Sequence, residues 1–157
     1  MLQKYLTVFF ISMVPLLELR GGVPMAITMD IPTIPAIVIC ALGNMVPVPF
    51  IYLFARKVLI WGSHRPYIGK LFTKFLEKGE RGGQALAKKA GRGGLFMALL
   101  LFVGVPLPGT GAWTGTLAAS FLDMGLKSTT AAVSLGVALA GCIMAIASTG
   151  VFAVLGF

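Results

Sequence analysis

The stretch "VPLLELRGGVPMAIT", residues 14–28, places a glutamate and an arginine inside an otherwise apolar run. The helix-weakening residues around these two charges are Pro15, Gly21, Gly22 and Pro24. A charged side chain within a membrane segment costs about 2.5–3.5 kcal/mol on insertion scales. We therefore expect Glu18 and Arg20 to be paired, hydrated or at the membrane surface. Residues two apart on a regular helix point to different sides, so a direct pair would require a broken backbone.

The composition is that of an integral membrane protein. Of the 157 residues, 57% are hydrophobic and 11% are charged, whereas soluble domains carry about 25% charged residues. No Asp, Glu, Lys, Arg or His lies between Asp30 and Arg56, between Arg92 and Asp123, or after Lys127. Each run exceeds the roughly 20 residues that cross a bilayer. The first apolar run is followed by "ELRGG" rather than a small-residue cleavage site, so we expect it to be retained.

The positive charge is concentrated in one loop, where ten of the thirteen basic residues lie between Arg56 and Arg92. Such loops stay on the cytoplasmic side, which predicts a prokaryotic-type plasma membrane protein with a cytoplasmic linker at 58–93. Lys70, Lys74 and Lys78 recur at helical spacing in a segment predicted to stop at Gly79. Two interpretations are equally open, a helix on anionic lipid headgroups and a helix packed on the protein's own core. A nucleic-acid partner is not expected beside membrane segments.

The two halves of the chain follow the same order: apolar arm, proline-glycine break, second arm, polar turn and long apolar helix. Pro15-Leu16 is paired with Pro106-Leu107, and the long helices are predicted at about 33–55 and 129–156. The predicted fold is all-α and membrane-embedded, with one domain made of repeat 1 (1–57), the amphipathic linker (58–93) and repeat 2 (94–157). Re-entrant hairpins in inverted repeats would put both termini outside. Four full crossings, with the first helix kinked, would put both inside. The density of prolines and glycines favours hairpins.

The second break, "PLPGTGAWTG" at 106–115, carries no charge but offers hydroxyls, an indole N–H and loosened backbone. Paired breaks at matching places in two halves are typical of a transport site near the midplane. The alternative is that these small residues only permit close helix packing. Asn44, followed by two prolines, either reaches the same polar centre or makes an ordinary interhelical hydrogen bond. No catalytic set, metal-ligand spacing or phosphate loop occurs, so neither an enzyme nor a cofactor is predicted, and Cys40 and Cys142 are interpreted as buried small hydrophobes.

"ELRGGVP" (18–24) and "PLPGTGAWTG" (106–115), separated by a basic loop, together resemble the family named putative small multidrug export proteins. That family is distantly similar to the DedA/VTT membrane proteins. The resemblance implies re-entrant hairpins in inverted repeats whose charged residues are needed for transport. The resemblance implies that the functional positions in this chain are Glu18, Arg20, Pro106, Pro108, Gly109, Thr110, Gly111 and Trp113.

These features predict a small transporter, coupled to protons or another ion, that moves amphipathic or lipid-like substrates and works as a homo-oligomer among membrane lipids. Glu18 is the predicted proton- or cation-binding group, while Arg20 either holds an anionic headgroup or neutralises Glu18. The alternatives are a flippase or scramblase for anionic lipid carriers such as polyprenyl phosphate, and a non-transporting membrane assembly factor. The candidate site adds Gly21, Gly22, Pro24 and Asn44 to the residues named by the resemblance.

Overall fold

The computed structural model describes residues 2–15, 17–64, 69–107 and 110–155, with the backbone alone in parts of 56–92 and in 151–155. Within these residues the regular secondary structure is entirely α-helical, as predicted. The helices are α1 (Leu2–Met13), α2 (Glu18–Thr28), α3 (Thr33–Met45), α4 (Pro47–Ser63), α5 (Gly69–Gly104), α6 (Ala112–Phe121) and α7 (Leu126–Leu155).

The first two helices lie side by side and run in opposite directions. The Nζ of Lys4, near the start of α1, donates a hydrogen bond to the carbonyl of Met29, just past the end of α2, at 2.8 Å. At the other end of the pair the chain leaves the helix at Val14, one residue before Pro15, and Leu17 lies in a turn just before α2. Gly22 lies against Ser12, where a Cβ atom would overlap the hydroxyl. The predicted break is therefore a tight reversal between two short helices.

The first long helix extends further than predicted. It was expected at 33–55, whereas α3 and α4 together form an apolar stretch over Thr33–Ser63 that is long enough to span a bilayer. Val46 separates the two helices but keeps helical dihedral angles, with φ −56° and ψ −48°. Pro47 then begins α4, where its missing N–H is tolerated because the first turn of a helix has orphan donors.

The segment α5 consists of two helices that meet at a kink at Gly91, whose φ is 69°. The predicted stop at Gly79 is wrong, because the first of these helices continues through Gly79 to the kink. A glycine inside a helix costs only about 1 kcal/mol, so Gly79 alone does not end it. Beyond Gly91 the apolar arm packs on α6, where a Cβ on Gly115 would lie 2.6 Å from Val103 Cγ2.

The second long helix, α7, begins at Leu126, three residues earlier than predicted, and its stretch to Gly150 is the other one long and apolar enough to cross a membrane. Both long helices use glycine to approach the first arm of their own half. A Cβ on Gly43 would overlap the carbonyl of Phe9, and one on Gly136 would lie 2.8 Å from the carbonyl of Leu100. Each long helix is thereby pressed against the arm that precedes it.

The polar turns of the two halves have the same local structure. Asp30 and Asp123 each follow a short helix in the left-handed region, with φ 60° and 53°. In each case the next amide bonds back into the last turn, as in a Schellman motif. The bonds are Ile31 N to Ala26 O and Met124 N to Ala119 O, both 3.0 Å. The two aspartates are separated in sequence by the same distance as Gly43 and Gly136, so the halves align in a register that pairs Pro15 with Pro108 rather than with Pro106.

The outer surface carries large apolar side chains, as expected for a membrane protein. Phe50 and Phe54 on α4 are 70% and 69% exposed, and Ile146 on α7 is 74% exposed. Smaller residues fill the centre, where Val8, Val23, Val48 and Val137 are almost completely buried. Lipid tails can cover the outer side chains without the cost that water would impose.

Candidate functional site

The site begins at the turn between α1 and α2, where Glu18 adopts a left-handed backbone conformation with φ 47°. Such a conformation costs a non-glycine residue roughly 1–2 kcal/mol. It places the first turn of α2 against the second break, so that residues 18 and 20 both reach the same segment of the other half. The turn before α2 therefore presents both charges to the second break.

The carboxylate of Glu18 binds the amino end of α6. Its Oε1 accepts the amide of Trp113 at 3.0 Å, and its Oε2 accepts the amide of Ala112 at 3.3 Å. The first amides of a helix have no internal partners and carry the positive end of the helix dipole, so a carboxylate is stabilised there. Glu18 is only 7% exposed, and these bonds explain how it remains at a buried position.

Gly111 permits this contact between Glu18 and α6. Its φ is 152°, which favours glycine, and a Cβ atom here would overlap both oxygens of the Glu18 carboxylate. The absence of a Cβ at Gly111 therefore allows the buried carboxylate to approach the start of α6 closely.

The guanidinium of Arg20 binds backbone carbonyls of the second break, at the end of α5. Nη1 donates to Leu107 O at 2.6 Å and also to the carbonyl of Thr110, while Nη2 donates to Thr110 Oγ1 at 2.7 Å and to Val105 O at 3.3 Å. Carbonyls at the end of a helix carry partial negative charge, which the several N–H donors of a guanidinium match well. Arg20 is half-buried, so part of this site remains accessible.

The side chain of Trp113, in the second half, forms a hydrogen bond with the backbone of the first half. Its indole Nε1 donates to the carbonyl of Met13, the last residue of α1, at 3.2 Å. Met13 lies at a helix end, where carbonyls need outside donors. Each break therefore supplies side chains that satisfy the backbone of the other break.

The predicted site residues divide into two groups. Five of them meet at the crossing of the two breaks: Glu18, Arg20, Thr110, Gly111 and Trp113. Pro106 lies between Val105 and Leu107, whose backbone carbonyls accept hydrogen bonds from Arg20. Pro108 and Gly109 lie outside the described residues.

The other predicted residues on α2 have different places. Gly21 lies against Leu17, Gly22 packs on Ser12 and Cys40, and Pro24 is inside α2. These three residues shape the helix that presents Glu18 and Arg20, through close packing and a missing amide.

Asn44 lies apart from the two charges, in the last turn of α3. It is 2% exposed and its Oδ1 has no hydrogen-bond partner. Sequence reasoning gave no role to Ser120 or Tyr52, although both are buried and the Tyr52 hydroxyl donates to the carbonyl of Met124. The available signal was the spacing of Thr116 and Ser120, four apart on an otherwise apolar helix.

The lysines of the linker lie on α5, which is helical throughout 70–78. The side chains of Lys70 and Lys74 are exposed, and that of Lys78 lies outside the described residues. Their role at a membrane surface stays a prediction. Among the described residues, no three histidine, cysteine or acidic side chains are grouped to hold a metal ion.

Comparison with known proteins gives one match. The model of the family described as "Putative small multi-drug export protein" matches residues 18–143, which include both breaks and most of α7. No curated protein and no solved structure matches the chain significantly. The predicted similarity to the DedA/VTT proteins stays a prediction.

Proposed function

The chain belongs to the small multi-drug export protein family, and we propose that it is an ion-coupled transporter of small amphipathic compounds. The observation that carries the proposal is the crossing of the two breaks, where Glu18 holds the start of α6 and Arg20 holds the end of α5. Charges buried in a membrane protein are costly and generally mark a substrate or ion pathway. Irregular backbone at membrane depth is tolerated only inside protein or along a cavity.

The proposed arrangement in the membrane is a pair of re-entrant hairpins, each followed by one spanning helix. At about 1.5 Å per residue, the 12 residues of α1 and the 11 residues of α2 are each too short to cross a core of about 30 Å. Among the residues that the structure describes, two apolar stretches are long enough: Thr33–Ser63, which follows α2, and Leu126–Gly150, which follows α6. In this arrangement the halves are inverted repeats, the termini lie outside and the basic linker is cytoplasmic in a prokaryotic-type plasma membrane.

Transport would proceed by competition for the Glu18 carboxylate. While ionised, it accepts two amides of α6, and protonation removes the charge that binds them. A cationic substrate can replace the helix end as the partner of the carboxylate, which would release α6 and change access to the crossing. The protein acts without a catalytic step, and a homo-oligomer in which lipids cover the exposed apolar side chains would enclose the path.

A second candidate function rests on Arg20. Its guanidinium is half-buried and bound to neutral oxygens alone, so an anionic headgroup of a lipid carrier could displace those carbonyls. The protein would then move an anionic lipid such as a polyprenyl phosphate across the bilayer. Guanidinium groups bind phosphate through two parallel hydrogen bonds, which favours this class of ligand.

Proteoliposomes with an imposed proton gradient distinguish the two functions. The measurements are accumulation of a cationic dye and movement of a labelled polyprenyl phosphate by the wild type and by Glu18→Gln and Arg20→Gln. If the protein exports amphipathic cations, Glu18→Gln should lose dye transport and Arg20→Gln should keep it. If the protein moves an anionic lipid, movement of the polyprenyl phosphate should depend more on Arg20 than on Glu18.

Asp30→Asn is the matched control, since it removes a carboxylate at an exposed turn and asparagine tolerates the left-handed conformation. Transport should persist in this variant. If the folded wild type moves neither substrate, transport is contradicted and the assembly role, with exposed Lys70 and Lys74 as the working surface, takes its place.

A further inference from the structure

The end of α4 and the start of α5 form a surface cavity of about 550 Å³. The two helices meet closely here, because a Cβ atom on Gly69, the first residue of α5, would lie 2.6 Å from the carbonyl oxygen of Ser63. All the described residues that line the cavity belong to the segment 63–77. The cavity is therefore a second candidate site, distinct from the one formed by Glu18 and Arg20.

One face of α5 supplies most of the lining of this cavity. Lys70, Thr73, Lys74 and Glu77 are three or four residues apart, which is the spacing of one helix face, and all four are exposed. The helix begins at Gly69, and the start of a helix carries positive potential. Glu77, two turns further on, offsets only one of the two lysine charges. The lining therefore favours an anionic ligand that accepts hydrogen bonds.

His64 lines the cavity from the side of α4. Its Nδ1 lies 2.7 Å from the carbonyl oxygen of Ile60, and since a carbonyl oxygen can only accept, Nδ1 carries the hydrogen. The other ring nitrogen, Nε2, is left for a ligand, and it accepts a hydrogen bond in the neutral ring and donates one in the protonated ring. The hydroxyl of Ser63 donates to the same carbonyl at 2.7 Å, so towards a ligand it can only accept.

The membrane arrangement proposed above puts the cavity at the level of the lipid headgroups. The apolar stretch over Thr33–Ser63 ends at the cavity, and Trp61, near the end of this stretch, is 57% exposed. Tryptophan side chains are enriched at the boundary between the hydrocarbon core and water. Basic side chains just beyond a spanning helix on the cytoplasmic side attract anionic lipids.

We propose that the cavity binds the phosphate group of an anionic lipid, and that it prefers a phosphomonoester to a phosphodiester. A monoester carries about −1.5 to −2 charges at pH 7 and offers three terminal oxygens, one each for Lys70, Thr73 and Lys74. His64 can pair with it in either state, because a singly protonated monoester donates its P–OH hydrogen to Nε2 and a dianionic one accepts from the protonated ring. A diester has neither that hydrogen nor the third oxygen.

Binding is measured by thermal unfolding of the purified chain in detergent, at constant ionic strength because salt screens exposed charges. The probes are dihexanoyl phosphatidic acid, which is a monoester, dihexanoyl phosphatidylglycerol, which is a diester with the same acyl chains, and inorganic phosphate. We expect phosphatidic acid to raise the unfolding temperature saturably and at a lower concentration than the other two, because a ligand of the folded state stabilises it.

The double variant Lys70→Gln plus Lys74→Gln removes both ammonium groups from the cavity. Its matched control is Lys88→Gln plus Lys127→Gln, which removes the same charge from exposed side chains that do not line the cavity. The first double variant should bind phosphatidic acid about tenfold more weakly or worse, whereas the control should bind like the wild type. Thr73→Val, which leaves the charge unchanged, should weaken binding by a smaller factor.

Equal loss of binding in the two double variants would show attraction by overall charge alone and overturn the site. Equal affinity for the two lipids would overturn the preference for a monoester. Inorganic phosphate that binds as tightly as phosphatidic acid would overturn a lipid as the occupant. Because the assay measures binding without transport, its result is independent of any flux measured in proteoliposomes.

Discussion

Glu18 and Trp113 are joined in both directions across the two halves of the chain. The Glu18 carboxylate accepts the Trp113 amide at 3.0 Å, and the Trp113 indole donates at 3.2 Å to Met13, which precedes the Glu18 turn. Trp113 thus binds the first break twice. Its backbone amide donates to the Glu18 carboxylate, and its indole N–H donates to the Met13 carbonyl. The crossing is therefore specified by both partners, and changing either residue should affect both breaks.

Replacing Glu18 by alanine should destabilise the protein by about 1–3 kcal/mol, because two amides at the start of α6 lose a buried acceptor. Glu18→Gln keeps one acceptor oxygen and should lose less. The measurement is the unfolding temperature in detergent, monitored by circular dichroism. An alanine variant as stable as the wild type would contradict the capping role of Glu18.

Arg20→Lys should destabilise the protein despite the retained charge. The guanidinium reaches Val105, Leu107 and Thr110 through two nitrogens, and a single ammonium cannot match that fork. We expect a loss of about 1–3 kcal/mol in stability, close to that of Arg20→Gln. A lysine variant equal to the wild type in unfolding temperature would show that charge alone suffices.

Gly111→Ala should displace the Glu18 carboxylate, since the added Cβ overlaps it and the φ of 152° disfavours alanine. The matched control is Gly125→Ala, where a Cβ atom meets nothing within 4 Å. The unfolding temperature should fall only in the first variant. Equal behaviour of the two variants would place the Glu18 contact elsewhere.

Trp113→Phe tests the indole bond alone, because phenylalanine keeps an aromatic ring but has no N–H group. Loss of the bond to Met13 should cost about 1 kcal/mol. Hydrogen exchange in the last turn of α1 should increase more than exchange in α7. Unchanged protection at the end of α1 would contradict this capping bond.

Apolar periodicity and proline-glycine density were sufficient to predict the order of the helices and the position of both breaks. These signals are local, but a proline or a pair of glycines weakens a helix without always ending it, since Gly21, Gly22 and Pro24 lie inside α2. The partners of Glu18 and Arg20 could not be predicted in this way, because they are backbone groups in the other half whose direction depends on the fold. The presence of two charges indicated only that some partner must exist.

The misplaced stop at Gly79 has a similar cause. A glycine ends a helix when the chain needs a left-handed residue, as at Gly91, and the sequence does not distinguish that glycine from one inside a continuing helix. The predicted end of the first long helix, at Ala55, has another cause. Arg56 and Lys57 were assigned to the basic loop, so the helix was predicted to end before them. Charged residues at a membrane boundary can continue a helix, and α4 runs through them to Ser63.

The mutual dependence of the two breaks has a consequence for biogenesis. When a ribosome has completed the first long helix, Val105, Leu107 and Trp113 have not yet been synthesised, so Glu18 and Arg20 lack the groups they bind in the finished protein. These two side chains can acquire their partners only after residue 113 has been synthesised. The crossing of the two breaks can therefore form only when both halves of the chain are present.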